Sequence, residues 1–275
     1  PNHDLSDVSC PSATVCYAVG YSTLATTNGG ASWQVQTGSP THYLNGIACP
    51  SVTTCVSVGS AGTLVATTDG GATWHAQQSG TAHNLYGVAC PSSTACVAVG
   101  ERGTILTTSD GGQTWTSRRN LDSGKVNHDF ISVACPRVGL CYAVGYSTVA
   151  TTNGGVSWQA QTGSPKFYLF GIACWRPRGC LAAGEQGTIV GTTNGGSTWT
   201  NRSSGTRVYL HRVSCTSAGA CLVVGQNGTI LSTRNGGLSW RAQGSGTSMA
   251  LWGVTCTHLG RCYAVGNKGT ILARS

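Results

Sequence analysis

Charge is scarce in this chain. Only 9% of its 275 residues are Asp, Glu, Lys or Arg, and it has one methionine and three phenylalanines. A disordered chain would be more charged and poorer in Val, Ile, Leu and Trp, so the composition is that of a folded protein. No apolar run approaches the roughly 18 residues of a membrane-spanning helix, and no signal peptide is visible. Helical periodicity is missing as well: the apolar runs are short, β-branched and cut by 40 glycines, which excludes amphipathic helices as the main element. Nor is there a block of like charge. The formal charge is +8, but the basic residues are scattered, as in Arg118, Arg119 and Lys125, or Arg234 and Arg241. A polybasic nucleic-acid arm is therefore not indicated, and the reading is a soluble basic surface, to which an acidic polymer is one suitable partner.

What is plentiful is cysteine, in strict order. The 14 cysteines form seven pairs with five residues between: Cys10–Cys16, Cys49–Cys55, Cys90–Cys96, Cys135–Cys141, Cys174–Cys180, Cys215–Cys221 and Cys256–Cys262. Zinc knuckles would need C-x2-C pairs in two sets, which these spacings do not provide. Seven pairs in one register predict seven local disulfides and a secreted, extracellular protein. Each closes a very small loop, worth about 2 kcal/mol by chain entropy.

The first cysteines lie at 10, 49, 90, 135, 174, 215 and 256, so the period is close to 40 residues. That period with several short strands per unit predicts a β-propeller. In the third unit the four strands are read as Leu85 to Cys90, Cys96 to Val99, Thr104 to Thr108, and a fourth starting near Thr114. The first two form a hairpin whose base a disulfide clamps, and a Gly-Gly turn joins the last two. The first unit (16–40) returns almost unchanged as the fourth (141–165). The second matches the fifth and the third the sixth, as in a duplicated three-unit block with a seventh unit closing the ring. The expectation is an all-β, seven-bladed propeller in one domain, residues 1–275. Its blades fall at about 3–40, 41–80, 81–121, 126–165, 166–205, 206–246 and 247–275. The last unit runs out after its third strand, so a three-stranded blade is expected, or one completed by residues outside this range, with little mixing of strands from the two ends.

The turns before the fourth strands carry a motif: TTNGGASW (26–33), TTDGGATW (67–74), TSDGGQTW (108–115), TTNGGVSW (151–158), TTNGGSTW (192–199) and TRNGGLSW (233–240). These resemble Asp-boxes, or BNR repeats, found in sialidases, xyloglucan-active hydrolases, sortilin-type receptors and photosystem II assembly-factor-like propellers. The run G-x-x-G-T-I-L-x-T-x-D-G-G-x-T-W is similar above all to the last group, from which the chain departs by a cysteine pair in every blade. The resemblance implies that Asp69, Asp110 and their four Asn equivalents are structural and peripheral.

Function is then sought on the face opposite the boxes, where the loops into the first strand and between the second and third strands gather around the channel mouth. Seven residues before each first cysteine stand His3, His42, His83, His128, Phe167, Val208 and Met249. Four residues before it stand Ser6, Asn45, Tyr86, Ile131, Phe170, His211 and Trp252. This predicts a mouth rich in imidazole on one side and aromatic on the other. Its ligand-binding candidates are His3, His42, Tyr43, His83, Tyr86, Arg102, His128, Tyr168, Phe170, Tyr209, His211, Arg212 and Trp252. No cofactor is expected; the alternative is a divalent metal on His3, His42, His83 and His128, if those strands lean together enough for ligand distances near 2.0–2.1 Å.

Hydrolysis of a glycosidic bond needs two carboxylates, and Glu101 and Glu185 occupy matching loop positions two blades apart. With Tyr209 and His83 they are the candidates for catalysis. Two further features are candidates for contact: the long loop from Thr116 to Phe130, and Trp175-Arg176-Pro177-Arg178 on the disulfide face. The reading favoured is a monomeric binding or scaffold propeller that holds a glycan, glycopolymer or partner protein. The alternative is a secreted polysaccharide lyase or glycoside hydrolase acting on an anionic polysaccharide at the same face.

Overall fold

The alternation of short β-branched runs with Gly-rich turns folds into seven antiparallel sheets in sequence, of which, among the described residues, six have four strands and the last has three. The computed structural model describes residues 3–38, 42–118, 129–161, 163, 167–216, 219–257 and 260–274. The innermost strands are Leu5–Ser9, Leu44–Ala48, Leu85–Ala89, Phe130–Arg137, Leu169–Arg176, Leu210–Cys215 and Leu251–Cys256. Each touches the inner strand of the next blade, and the seventh touches the first, which closes the ring. The fold is the seven-bladed propeller expected from the repeat.

All seven disulfides join the expected cysteines, with Cα atoms 4.0–4.1 Å apart. Cys174 and Cys180, Cys215 and Cys221, and Cys256 and Cys262 face each other across their hairpins. Apolar side chains of each sheet pack against those of the next, giving one cluster per seam between blades. Tyr17, Val19, Leu44 and Trp74, for example, fill the seam between blades one and two. The seam between blades seven and one holds Leu5, Val8, Tyr263 and Val265, with Trp33 against it.

The outer strands differ from the sequence reading. In the third blade the fourth strand is only Thr116–Ser117, two residues later than expected. The cause is the box turn, which extends through Thr114, where the N–H donates to Asp110 Oδ1 at 3.0 Å. Thr108 Oγ1 donates to the same carboxylate oxygen at 2.7 Å and accepts the Gly112 N–H at 3.0 Å. Asn28 builds the same turn with its amide, accepting from the Ser32 N–H and donating to Ser32 Oγ. The boxes are structural parts of the periphery, as the motif implies.

Ring closure uses side chains. Tyr263 OH donates to Gly29 O at 2.7 Å, and the Lys268 N–H donates to Asp4 Oδ1 at 2.8 Å. Glycine permits the close approach of inner strands at Gly46, Gly87, Gly171 and Gly253, three residues before the first cysteine. A Cβ on Gly171 would lie 2.8 Å from Arg212 Cα, and one on Gly253 2.8 Å from Asp7 Cα. Trp175 is packed under the next box turn, 3.3 Å from where a Cβ of Gly236 would sit, so the Trp175–Arg178 hairpin is partly a seam element. Of the long third-unit loop, residues 119–128 lie outside the described residues, and Arg118 donates from Nε to Thr107 Oγ1 at 3.1 Å.

Candidate functional site

In every inner strand the pairing with the second strand shifts by one residue, a bulge whose extra position turns its side chain towards the channel mouth. That position is the fourth before the cysteine. Ser6, Asn45, Tyr86, Ile131, Phe170, His211 and Trp252, one from each blade, line a single cavity of about 470 Å³, together with Tyr43, Tyr209, Arg212 and Gln226. The seven do not do the same work. Ser6 Oγ donates to Leu44 O, and Asn45 Nδ2 donates to Leu85 O at 2.9 Å, so both are tied to the next blade. On the other side runs an aromatic series. Tyr168 stacks on Phe170 at 6.2 Å, Phe170 meets Tyr209 at 6.0 Å and His211 at 5.8 Å, and His211 lies 4.1 Å from Trp252.

Within this wall His211 is 8% exposed, and its Nε2 has no hydrogen-bond partner among the described residues. Burial, with Arg212 beside it, pushes its pKa down to about 4, so the imidazole is neutral at physiological pH. A buried nitrogen without a partner costs stability unless something arrives to satisfy it.

Arg212 forms the floor. Its Nη2 meets Asp7 Oδ2 at 2.7 Å and its Nη1 donates to Ser132 Oγ at 3.1 Å. One guanidinium therefore bridges inner strands of blades six, one and four across the channel. The Ile47 N–H also donates to Asp7 Oδ2, at 3.2 Å. Burial pushes the Asp7 carboxyl up, outweighing the downward pull of Arg212 and the backbone N–H groups. Asp7 and Ser132 were not candidates from the sequence. Counting one residue further would have exposed them: the third position before the cysteine is glycine in four blades, and Asp7, Ser132 and Arg212 in the other three.

The histidine row behaves differently from the sequence expectation. His3 and His42 are exposed, and His3 lies 5.9 Å from the Tyr21 ring. His83 Nδ1 is 3.0 Å from Thr104 Oγ1. None of these three lines the cavity, and His128 lies outside the described residues. Among the described residues no group of three or more His, Cys, Asp or Glu side chains is placed to hold a metal ion.

The carboxylate candidates are engaged. Glu101 accepts from the Asn84 N–H at 3.1 Å, from Asn84 Nδ2 at 2.7 Å and from Tyr86 OH at 3.0 Å. These bonds, the Asn84 N–H first, hold its carboxyl below the ordinary range. Burial first, and then Glu101, push the Tyr86 phenol up to about 12. Glu185 accepts from the Tyr168 N–H at 3.2 Å. Both glutamates thus satisfy the start of their own inner strand across the loop between second and third strands. Arg102 occupies the left-handed position of that loop (φ 53°), and its N–H donates to Asp129 Oδ1 of the next blade at 2.9 Å. Tyr43 and Tyr209 line the cavity; Tyr168 stands behind Phe170.

The family model described as Photosynthesis system II assembly factor YCF48 matches residues 73–201. No curated protein matches the chain in sequence. A structure of YCF48 bound to D1 peptide superposes with a TM-score of 0.79 at 17% identity, covering 99% of this chain and 91% of that one. YCF48 from Cyanidioschyzon merolae gives the same score and identity, with 99% and 95% covered. The GH74 enzyme of Niastella koreensis superposes at 0.80 with 16% identity, covering 99% of this chain and 52% of that enzyme. At these identities the structural matches speak for the fold. The chain is a seven-bladed β-propeller, similar over residues 73–201 to the photosystem II assembly-factor family model, with a disulfide in every blade.

Proposed function

We propose that this propeller is a non-enzymatic binding protein, working outside the cytosol, whose channel mouth holds a segment of a partner protein. The observation that carries the reading is His211: a neutral, buried imidazole with a free Nε2, set in the aromatic wall of the cavity. The floor charge is already matched by Asp7, so the ligand group that enters is uncharged. It presents a flat apolar face to Phe170 and Trp252 and one hydrogen-bonding atom to His211. An aromatic, proline or amide side chain on a peptide meets that description. The likeness to a YCF48 structure that holds a D1 peptide supports a protein ligand. Seven disulfides support a secreted location.

A glycan is the second reading, favoured by the same aromatic faces beside Asn45 and Gln226 and by the likeness to a GH74 enzyme. The two are separated by screening the protein against a random peptide display library and an immobilised panel of neutral and anionic polysaccharides. Peptides are expected to be selected, and Trp252→Ala to abolish that selection while leaving the melting temperature close to that of the parent. Selection of polysaccharides alone would replace the first reading by the second. New reducing ends or unsaturated uronate absorbance on any polysaccharide would overturn the binding reading altogether.

A further inference from the structure

The seams between blades one and two and between blades four and five are built from matching units, yet they differ in charge. A buried tyrosine fills each from the earlier blade, Tyr17 in the first and Tyr142 in the second. Tyr17 OH donates to Val52 O and Gly70 O, and Tyr142 OH donates to Pro177 O. Counted from the cysteines and the box, Arg137, Arg178 and Asn194 of the second seam replace Ser12, Thr53 and Asp69 of the first. Burial pushes both phenols up, but Asp69 adds to that push at Tyr17, whereas Arg178 and Arg137 oppose it at Tyr142.

Both arginines are carried by well-defined backbone. In the first blade Ser12 Oγ accepts the Val15 N–H at 3.0 Å and closes its own turn. In the fourth and fifth blades the hairpin ladder instead runs out to Arg137 opposite Leu140 and to Arg176 opposite Gly179. Arg178 sits in the tight turn that this leaves, and its Nη2 donates to Asn194 O at 3.2 Å. Arg137 and Arg178 are exposed and line a cavity of about 410 Å³. No carboxylate lines it among the described residues. Beyond Asp129 the sequence has a single acidic side chain, Glu185, which is bound to the Tyr168 N–H on the opposite face. Hydroxyl and amide side chains, among them Thr152, Ser157, Gln159 and Gln161, make up much of the remaining wall.

We infer that this cavity is a second binding site, which takes an acidic sugar unit of a polysaccharide and holds its carboxylate or sulfate between Arg137 and Arg178. Guanidinium groups bind such anions through paired, charge-assisted hydrogen bonds. The hydroxyls and amides of the wall both donate and accept, as the hydroxyls of a sugar ring require. A nucleic acid would need an exposed aromatic face for its bases, and the tyrosine here is buried. An acidic peptide would meet the arginines but present few hydroxyls to the rest of the wall. Arg176, exposed on the same hairpin as Arg178, extends the positive surface towards the next seam, which suits a polymer. The site lies on the disulfide face, away from the channel mouth, and does not depend on the function proposed for that mouth.

The test titrates the protein by calorimetry with galacturonic-acid oligomers, with the same oligomers methyl-esterified, and with heparin fragments. At least one acidic oligomer is expected to bind, its identity naming the acid group, and the neutral esters to bind about tenfold more weakly or worse. Arg137→Ser with Arg178→Thr installs the residues of the first seam and should weaken binding by about tenfold while the melting temperature stays put. If that double variant does not fold, Arg137→Gln, a change at an exposed strand end, takes its place with a several-fold loss expected. Trp252→Ala in the channel mouth should leave this binding unchanged. Absence of binding to both acidic oligomers, equal binding of the esters, or affinity that survives the arginine changes would overturn the proposal. So would loss of binding in Trp252→Ala, which places the saccharide at the mouth. Equally tight binding of poly-glutamate or duplex DNA would overturn it too, since the surface would then be a general anion patch.

Discussion

The Arg212–Asp7 pair makes a demanding prediction. Both side chains are close to full burial, at 14% and 11% exposure, and their contact is 2.7 Å. Arg212→Met keeps the stem but leaves Asp7 as an uncompensated charge in the channel, with the Ile47 N–H as its remaining strong partner. Breaking a buried pair in this way costs about 3–5 kcal/mol. Removing both charges, with Asp7→Asn added to Arg212→Met, should recover most of that loss, because the amide oxygen of Asn can still accept from Ile47. The pH dependence follows from the direction of the Asp7 shift. Its folded-state carboxyl titrates above the unfolded value, so protonation favours the folded form. The charge penalty is fully present above the raised pKa and is relieved as pH falls towards and below the ordinary carboxylate range. Without Arg212 that pKa rises further, so the gap between Arg212→Met and the parent should narrow from pH 7 to pH 4. Urea midpoints followed by tryptophan fluorescence, disulfides intact, measure this. A loss under about 1 kcal/mol, or a gap that is the same at both pH values, would show that the pair is not a buried charge bridge.

Two further outcomes are expected. Asp69 and Asp110 are held well below the ordinary carboxylate range by hydrogen bonds from Thr73 and Thr114 respectively, and from the box threonines. Their stabilisation is present above about pH 4 and is lost as pH falls through the depressed values. The double change Asp69→Asn, Asp110→Asn should therefore flatten the fall in melting temperature between pH 4 and pH 2, and an unchanged slope would refute the assignment. Gly171→Ala should cost about 1–3 kcal/mol by overpacking against Arg212. Gly244→Ala, whose Cβ would meet nothing within 4 Å, should be neutral or stabilising by up to about 1 kcal/mol. Denaturant midpoints of the two variants decide it; equal effects would mean that the inner strands do not limit the channel.

The architecture was legible because it repeats. Cysteine register, Gly-Gly turns and the box tryptophans each recur with the blade, so spacing alone revealed the sheets and the disulfides. The fourth strand of the third blade was read as starting two residues early because the box turn spends Thr114 on the Asp110 carboxylate before the ladder can start. The mouth was legible only in part. His211, Phe170 and Trp252 were found by counting back from the cysteine, but His3, His42 and His83, seven residues back, do not line the cavity. Glu101 resembled a catalytic carboxylate because its three donors come from Asn84 and Tyr86, a contact across 15 to 17 residues that residue types do not announce.

The asymmetry of the mouth follows from how two similar blocks of three blades diverged at a single row. At the fourth position before the cysteine, the first block has Ser6, Asn45 and Tyr86, and the second has Ile131, Phe170 and His211. The first set spends its polar atoms within the ring, on Leu44 O, Leu85 O and Glu101. The second spends none; its Phe170 and His211 rings pack against each other at a tilt, with Trp252 of the unmatched seventh blade completing the wall. One residue nearer the cysteine the blocks differ again: Asp7 corresponds to Ser132, and both bind the single Arg212, whose own counterpart is Gly87. A symmetric ring would need either two guanidiniums in one channel or none. Keeping one fixes the floor charge, leaves room above it, and turns a seven-fold repeat into a cavity with one apolar side and one free imidazole nitrogen. Positions that break the repeat, rather than those that make it, therefore shape the proposed binding site.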